Sequence, residues 1–272
     1  MCQEEFEKIE LMARGGQKIV FDGVHNSYGE TVIKLYFQLN DPRSLREIQI
    51  ERDLNLSMVP KIYETGTIEY EGTETLYIIE QKVKGTELRK VLESGKRFSL
   101  EEAVTFLEQG LEFIACIENK GIVHRDIKPE NIIRADDGRI FFLDFGIARI
   151  LGADSLTRTG AMMGPHTPGY AAPEQFNNLK KEIDSRADIF SLGVVTYECI
   201  TGKNPFREGS INALEVLQKT ETITPVQYSM DTQSQFMALL GAMMGKYPSR
   251  RPRTAKQAID WLKVAKKTFV YE

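Results

Sequence analysis

Residues 122–133 read IVHRDIKPENII: a His, an Arg, an Asp, a Lys, a Glu and an Asn set between the apolar pairs Ile122/Val123 and Ile132/Ile133. The apolar flanks predict short buried strands holding a polar loop rigid. Asp126 and Asn131 lie five positions apart, and LDFGIAR, residues 143–149, puts Asp144 at the end of the following strand. Two carboxylates and a carboxamide converging beside Lys128 make a hard-oxygen site. Such a site suits a magnesium ion that is also holding phosphate, since magnesium takes few protein ligands and leaves the rest to water and ligand oxygens. A purely structural salt-bridge network would pair its charges and need no carboxamide.

Outward from this loop, the 272 residues and 42% hydrophobic content allow one large domain or two lobes sharing an interface. A formal net charge of −4 argues against a general nucleic-acid surface, which needs clustered Lys and Arg. Cys2, Cys116 and Cys199 are odd in number and widely spaced, without metal-ligand spacing, which points to a reducing compartment and away from a disulfide framework or a zinc site. No apolar run approaches the roughly 18 residues of a spanning helix, and the start MCQEEFEKIE is too acidic for a secretory signal. The expectation is a cytoplasmic chain with no membrane segment. Its ending, KKTFVYE, carries no obvious cap, so it could be cut from a longer protein.

The period of the sequence changes along the chain. Early β-rich runs, QKIVFDGV, GETVIKLYF, KIYETGTIEY and TLYIIEQKV, predict a small antiparallel sheet. One helix interrupts it, with Asp41 as N-cap, Pro42 at the first helical position, and Leu45, Ile48 and Leu54 at helical spacing. After Gly85 the helical period dominates. Ser99 and Glu102 form a capping-box pattern, Ala103, Phe106, Leu107, Leu111, Ile114 and Ala115 make an apolar stripe, and Gly121 stops the helix. Two strands, 131–134 and 139–144, are joined by the turn ADDG. Further helices are predicted at 185–202, 212–220, 232–246 and 254–266. The fold class is therefore α+β and bilobal: a β-rich lobe over 1–84 with one key helix, and a larger α-helical lobe over 85–272.

HRDIKPEN, DFG and YAAPE occur in that order over nearly the whole chain, and with them the sequence resembles the protein Ser/Thr kinases, most closely the bacterial members. That resemblance implies the fold just described, with ATP and Mg2+ as cofactors and protein Ser/Thr hydroxyls as acceptors. It implies that Asp126 accepts or orients the substrate hydroxyl proton and that Lys128 offsets charge on the transferring phosphoryl group. Asn131 and Asp144 would hold magnesium. His124 is read as a structural support of the loop, and Arg125 as the arginine that receives an activation-loop phosphate.

In the first lobe, TVIK resembles the strand whose Lys contacts the α and β phosphates, which makes Lys34 the candidate. Its helix partner by alignment is Glu47, with Glu51 as fallback on the same face. Val32 and Ile133 would line the adenine pocket. The glycine loop departs from the family pattern: ARGGQKIV puts Ala13, Gly15, Lys18 and Val20 at the four signature positions, with Gly16 as an added glycine. Lys18 adds a Cβ and a positive charge over the phosphates. At the hinge, Glu80 falls at the gatekeeper position, and Gln81 and Val83 would offer backbone groups to adenine. A carboxylate there must find a partner or neutralise.

The activation segment runs from Asp144 to Glu174, with Ser155, Thr157 and Thr159 as candidate phosphorylation sites and Thr167 as the residue that meets the catalytic Asp and Lys. Glu174 is expected to pair with Arg251, and Asp188 to tie the catalytic-loop backbone. The resemblance implies an active kinase that phosphorylates itself, with a dimer allowing the reaction in trans. The rival is a pseudokinase that keeps the fold as a nucleotide-binding or scaffolding module, suggested by the altered glycine loop.

Overall fold

The structure is a computed structural model that describes residues 3–15, 18–37, 45, 48–52, 56–145, 148–150, 167–177, 183–226 and 235–268. It divides into two compact units, Met1–Gly85 with Phe141–Gly146, and Thr86–Ile140 with Ile147–Glu272.

The first unit is a five-stranded antiparallel sheet of β1 (Phe6–Arg14), β2 (Lys18–His25), β3 (Gly29–Tyr36), β4 (Ile62–Tyr70) and β5 (Thr73–Gln81), in the order β1-β2-β3-β5-β4. Strand residues alternate between faces, so the register sorts the side chains. One face carries Ile19, Ile33, Leu35, Tyr77 and Ile79, which close with Phe6 into a buried cluster. The opposite face carries Lys18 across from Tyr36, Val20 across from Lys34, Val32 across from Glu80 and Lys34 across from Ile78. Ile48 packs on this second face against Tyr36 and Ile78, and Leu45 and residues 48–52 are helical where the key helix was expected. The expected N-cap Asp41 and Pro42 lie outside the described residues. Residues 141–146 are tied to this unit through Phe142 N, which donates to Met58 O at 2.9 Å.

Strand β1 was not foreseen. After Phe6 every residue of it is exposed, and its pairing with β2 shifts register twice, between Phe6 and Lys8 and between Leu11 and Ala13. Bulges of this kind erase the alternation by which a strand is recognised.

The second unit is mostly helical. After β6 (Gly85–Glu87) come α1 (Leu88–Glu93), α2 (Leu100–Asn119), β7 (Ile122–Val123), β8 (Ile132–Ala135) and β9 (Ile140–Phe142), the last passing into the first unit. They are followed by β10 (Arg149–Ile150), α3 (Pro173–Phe176), α4 (Ser185–Thr201), α5 (Ala213–Thr222), α6 (Gln235–Met243) and α7 (Ala255–Lys266). Ser99 caps α2 reciprocally with Glu102, as the spacing predicts. The buried stripe of α2 packs on α4 and α7. Gly110 is what lets α2 approach so closely, since a Cβ there would sit 2.6 Å from Leu192 of α4. Gly202 ends α4 at φ 75°, with its N–H donating to Glu198 O at 2.7 Å.

Three expected boundaries are corrected. The strand after the polar loop starts at Ile132, because Pro129–Asn131 forms a 3-10 turn. The next strand is Ile140–Phe142 and stops short of Asp144, whose φ of 65° is incompatible with an extended strand. The helix expected to reach residue 246 ends at Met243. No described helix is long and apolar enough to cross a membrane.

Candidate active site

The polar loop leaves β7 at Val123 and is gripped from beneath by a side chain of α4. Asp188, in the first turn of that helix and fully buried, accepts from both His124 N and Arg125 N at 2.8 Å. These bonds sit where the backbone needs holding, because Arg125 adopts φ 71°, a left-handed conformation costly for a side chain with a Cβ. Burial pushes the Asp188 carboxyl up to about 7, against the two amides, which favour its charged form. Gln175 of α3 donates its Nε2 to Arg125 O at 2.8 Å, fixing the same residue from the other side. The buried ring of His124 accepts from Asp126 N at 3.3 Å and stands edge-on to Phe113.

Held this way, Asp126 becomes the centre of a polar cluster. Its Oδ2 accepts from Lys128 Nζ at 2.7 Å and from Asn131 Nδ2 at 3.0 Å, and its Oδ1 accepts from Thr167 Oγ1 at 2.6 Å. Lys128 also donates to Thr167 Oγ1 at 3.2 Å. Asn131 donates the same Nδ2 to Asp126 O, so Oδ1 is the atom it has to offer a cation. That oxygen and the Asp126 carboxylate are hard donors of the type magnesium takes, so their chemistry fits; in the first unit, taken by itself, the half-exposed Asp144 carboxylate is a donor of the same type. Ile133 is half-buried in β8 beside this cluster in sequence.

In the first unit, Lys34 is buried and bonds Glu80 across β3 and β5, Nζ to Oε2 at 2.8 Å. The carboxylate at the gatekeeper position thus has its partner within the sheet. Glu47 lies outside the described residues, and Glu51 is buried. Lys18 reaches Asp144, Nζ to Oδ2 at 3.5 Å, with its ammonium 5.5 Å from the Tyr36 ring. Val20 and Val32 are half-buried on the same face as Lys34. Ala13 and Gly15 stand at the β1–β2 hairpin, where Gly15 N donates to Lys18 O at 2.9 Å; Gly16 lies outside the described residues. Gln81 N is taken by Lys61 O at 2.8 Å, so that amide is not offered to adenine, while Val83 is half-buried past the strand end.

Beyond the cluster, Glu174 and Arg251 form a buried two-pronged pair at 2.6 and 2.9 Å. Arg251 also donates to Arg186 O, Gly245 O and Lys246 O, so the guanidinium fork is fully engaged. The candidate phosphorylation sites Ser155, Thr157 and Thr159 lie outside the described residues.

A further group was missed. Arg89 of α1 bonds Glu130 and Glu198, each at 2.9 Å, and touches the Tyr170 hydroxyl, which itself donates to Glu198. The two carboxylates hold Arg89 in its charged form despite burial, whereas burial beside Glu198 raises Tyr170 above the usual phenol range. The network ties α1, the catalytic loop, the segment after Thr167 and α4 together. Glu130 and Tyr170 stand inside motifs already singled out, and that was the only signal; Arg89 and Glu198 have none in the sequence.

Comparison with known proteins follows the same lines. The family described as protein kinase domain matches residues 6–261. The probable serine/threonine-protein kinase PknB of Corynebacterium glutamicum is 31% identical over 268 residues, covering 93% of this chain and 41% of that protein. The serine/threonine-protein kinase PknA of Mycobacterium tuberculosis is 33% identical over 259 residues, covering 92% of this chain and 58% of its own length. The chain thus spans about half the length of these curated relatives.

Proposed function

Because the chain belongs to the protein kinase family, and within it to the serine/threonine kinases found in bacteria, we propose that it transfers the γ-phosphoryl group of Mg-ATP to Ser or Thr hydroxyls of protein substrates. One observation carries the reading. Asp126 already accepts a hydrogen bond from an alcohol, Thr167 Oγ1 at 2.6 Å, while Lys128 reaches the same hydroxyl. An acceptor Ser or Thr placed there meets the same two groups. Asp126 takes the hydroxyl proton as the oxygen–phosphorus bond forms and ADP departs, and Lys128 offsets the charge on the phosphoryl oxygens. Asn131 and Asp144 would be the residues to hold magnesium, which when bound would supply charge neutralisation for the phosphates. Asp188, Gln175 and His124 keep Asp126 in place, so their contribution is positioning.

We further propose that the protein works in the cytoplasm and phosphorylates itself, one copy acting on another, within residues 155–159, where Arg125 would meet the new phosphate. A binding module without turnover is the second reading, favoured by Lys34 resting on Glu80 and Lys18 on Asp144. Incubation with γ-labelled Mg-ATP and a generic basic protein separates the two. Label on Ser or Thr supports the kinase; nucleotide binding without label supports the module.

A further inference from the structure

We propose that a groove on the second unit, crossing Arg134 between α1 and α2, docks an extended protein segment that carries a phosphorylated Ser or Thr two positions from an apolar residue. This rests on the reading of the chain as a Ser/Thr kinase and gives it a partner surface outside the catalytic cluster. Two pockets make the groove. The first, of about 440 Å³, is walled by Thr86 of β6, Lys90 and Val91 of α1, Lys96, Arg134 of β8, and Asp136. The second, of about 210 Å³, is lined by the buried Phe98, Phe106 and Ile140 together with Glu101 and Glu102. Arg134 and Gly138 line both, so the pockets are contiguous.

Charge is sorted across Arg134. On its first side Lys90, Lys96 and Arg134 itself stand against one exposed carboxylate, Asp136; on its second side are Glu101 and Glu102. Glu102 Oε1 accepts from Lys96 Nζ at 2.8 Å and from Arg134 Nη2 at 3.0 Å, which holds the two cations side by side. The Arg134 guanidinium lies 5.2 Å from the Phe98 ring centroid, a stacking partner that steadies its plane. An ammonium has three donors and a guanidinium five, so both cations keep donors beyond those given to Glu102. Ser94 adds none, because its hydroxyl donates to Val91 O at 2.7 Å. A phosphate dianion with three acceptor oxygens fits this set, with Arg134 offering a two-pronged fork.

The second pocket is what calls for a protein segment and not a free anion, since its aromatic lining and its two carboxylates offer a phosphate nothing. Side chains on one face of an extended chain recur at every second residue, roughly 7 Å apart, a spacing suited to two pockets that share one side chain. The wall between them is fixed: Gln109 of α2 donates to Gly138 O at 3.1 Å and accepts from Ile140 N at 3.0 Å, holding the β8–β9 turn on the helix. Arg134 follows Asn131 by three residues, roughly 10 Å along β8. A chain docked here by one phosphorylated residue can therefore present a second hydroxyl to Asp126.

The test is fluorescence anisotropy on nucleotide-free protein, which needs no turnover. The probes are short labelled peptides with phosphoserine and leucine two positions apart, in either order, their unphosphorylated forms, and forms with alanine for the leucine. The proteins are wild type, Lys90→Gln/Lys96→Gln, Arg134→Gln and, as a control for general charge, Lys256→Gln on the exposed face of α7. In one order of residues the phosphopeptide should bind wild type about tenfold to a hundredfold tighter than its unphosphorylated form. The double variant and Arg134→Gln should lose that preference, Lys256→Gln should stay within about threefold, and alanine for leucine should weaken binding roughly threefold to tenfold. Lys90 and Lys96 are exposed, so the double variant decides the matter even where Arg134→Gln, deprived of its Phe98 stacking, fails to fold by circular dichroism. Equal binding of phosphorylated and plain peptides, an equal loss in Lys256→Gln, or displacement of the peptide by free O-phosphoserine at matching concentration each overturns the proposal, the last by making the site one for a small anion. None of these outcomes touches the kinase reading, which fails separately if no label is transferred to Ser or Thr.

Discussion

Replacing Asp188 by Ala tests the idea that a buried carboxylate holds the catalytic loop. Asp188 receives two backbone N–H groups at 2.8 Å in a fully buried setting. Each hydrogen bond to a charged group contributes roughly 1.5–3 kcal/mol, so removing two costs about 3–6 kcal/mol. Against that, the mutant no longer buries a carboxylate, and the rise of Asp188 to about 7 shows that this burial is unfavourable. The net expectation is a loss of roughly 2–4 kcal/mol in urea unfolding. The strained Arg125 backbone relaxes as well, displacing Asp126 one residue on, so phosphoryl transfer should fall even under conditions where the mutant is folded. The comparison is run below the mutant's unfolding transition by circular dichroism. A mutant within about 0.5 kcal/mol of wild type, with an unchanged rate, would refute the reasoning.

Asp188 also sets a pH dependence. Its folded pKa is raised above the unfolded value of 3.8, so folding takes up a proton between about 4 and 7; its contribution to stability is present below 3.8 and lost as pH rises through about 7, and Asp188→Asn should remove that slope from a series of urea midpoints. Lys246 runs the other way: burial, and then Arg251, lower it to about 8, with its ammonium 4.3 Å from the Phe206 ring, so its contribution rises with pH between about 8 and 10.5, and Lys246→Met should flatten the rise. Arg251→Met strands Glu174 without its partner and should cost about 3–5 kcal/mol by the same unfolding assay. Gly110→Val should cost about 1–3 kcal/mol, since its branches must displace Leu192 from a packed helix crossing; a neutral result would mean α2 and α4 can separate freely.

What the sequence made legible was what local chemistry writes. Strands β2 to β5 stand out as short β-rich runs between turn residues, Ser99 and Glu102 cap α2, and the motifs around Asp126 and Asp144 occur in order, so fold class and family could be read before any coordinates. What stayed hidden depends on register or on distant packing. Strand β1 buries only Phe6 and is bulged twice, so it has no period to detect. The Lys34–Glu80 pair depends on the register of β3 against β5, which sets Glu80 opposite Val32 and so diagonal to Lys34, a matter of pairing that no local pattern specifies. Arg89 and Glu198 are 109 positions apart and meet only because α1 and α4 converge on Tyr170. Residues 141–146 belong to the first unit, where Phe142 N bonds Met58 O, and composition does not signal that long-range tie.

The most direct measurement is the rate of phosphoryl transfer to Ser and Thr at saturating Mg-ATP, for wild type and Asp126→Asn. Asparagine keeps the shape and can still accept from Thr167, yet cannot take a proton. The account predicts a rate lower by about 10²–10⁴-fold with nucleotide affinity nearly unchanged. An Asp126→Asn protein that keeps most of the wild-type rate would contradict it.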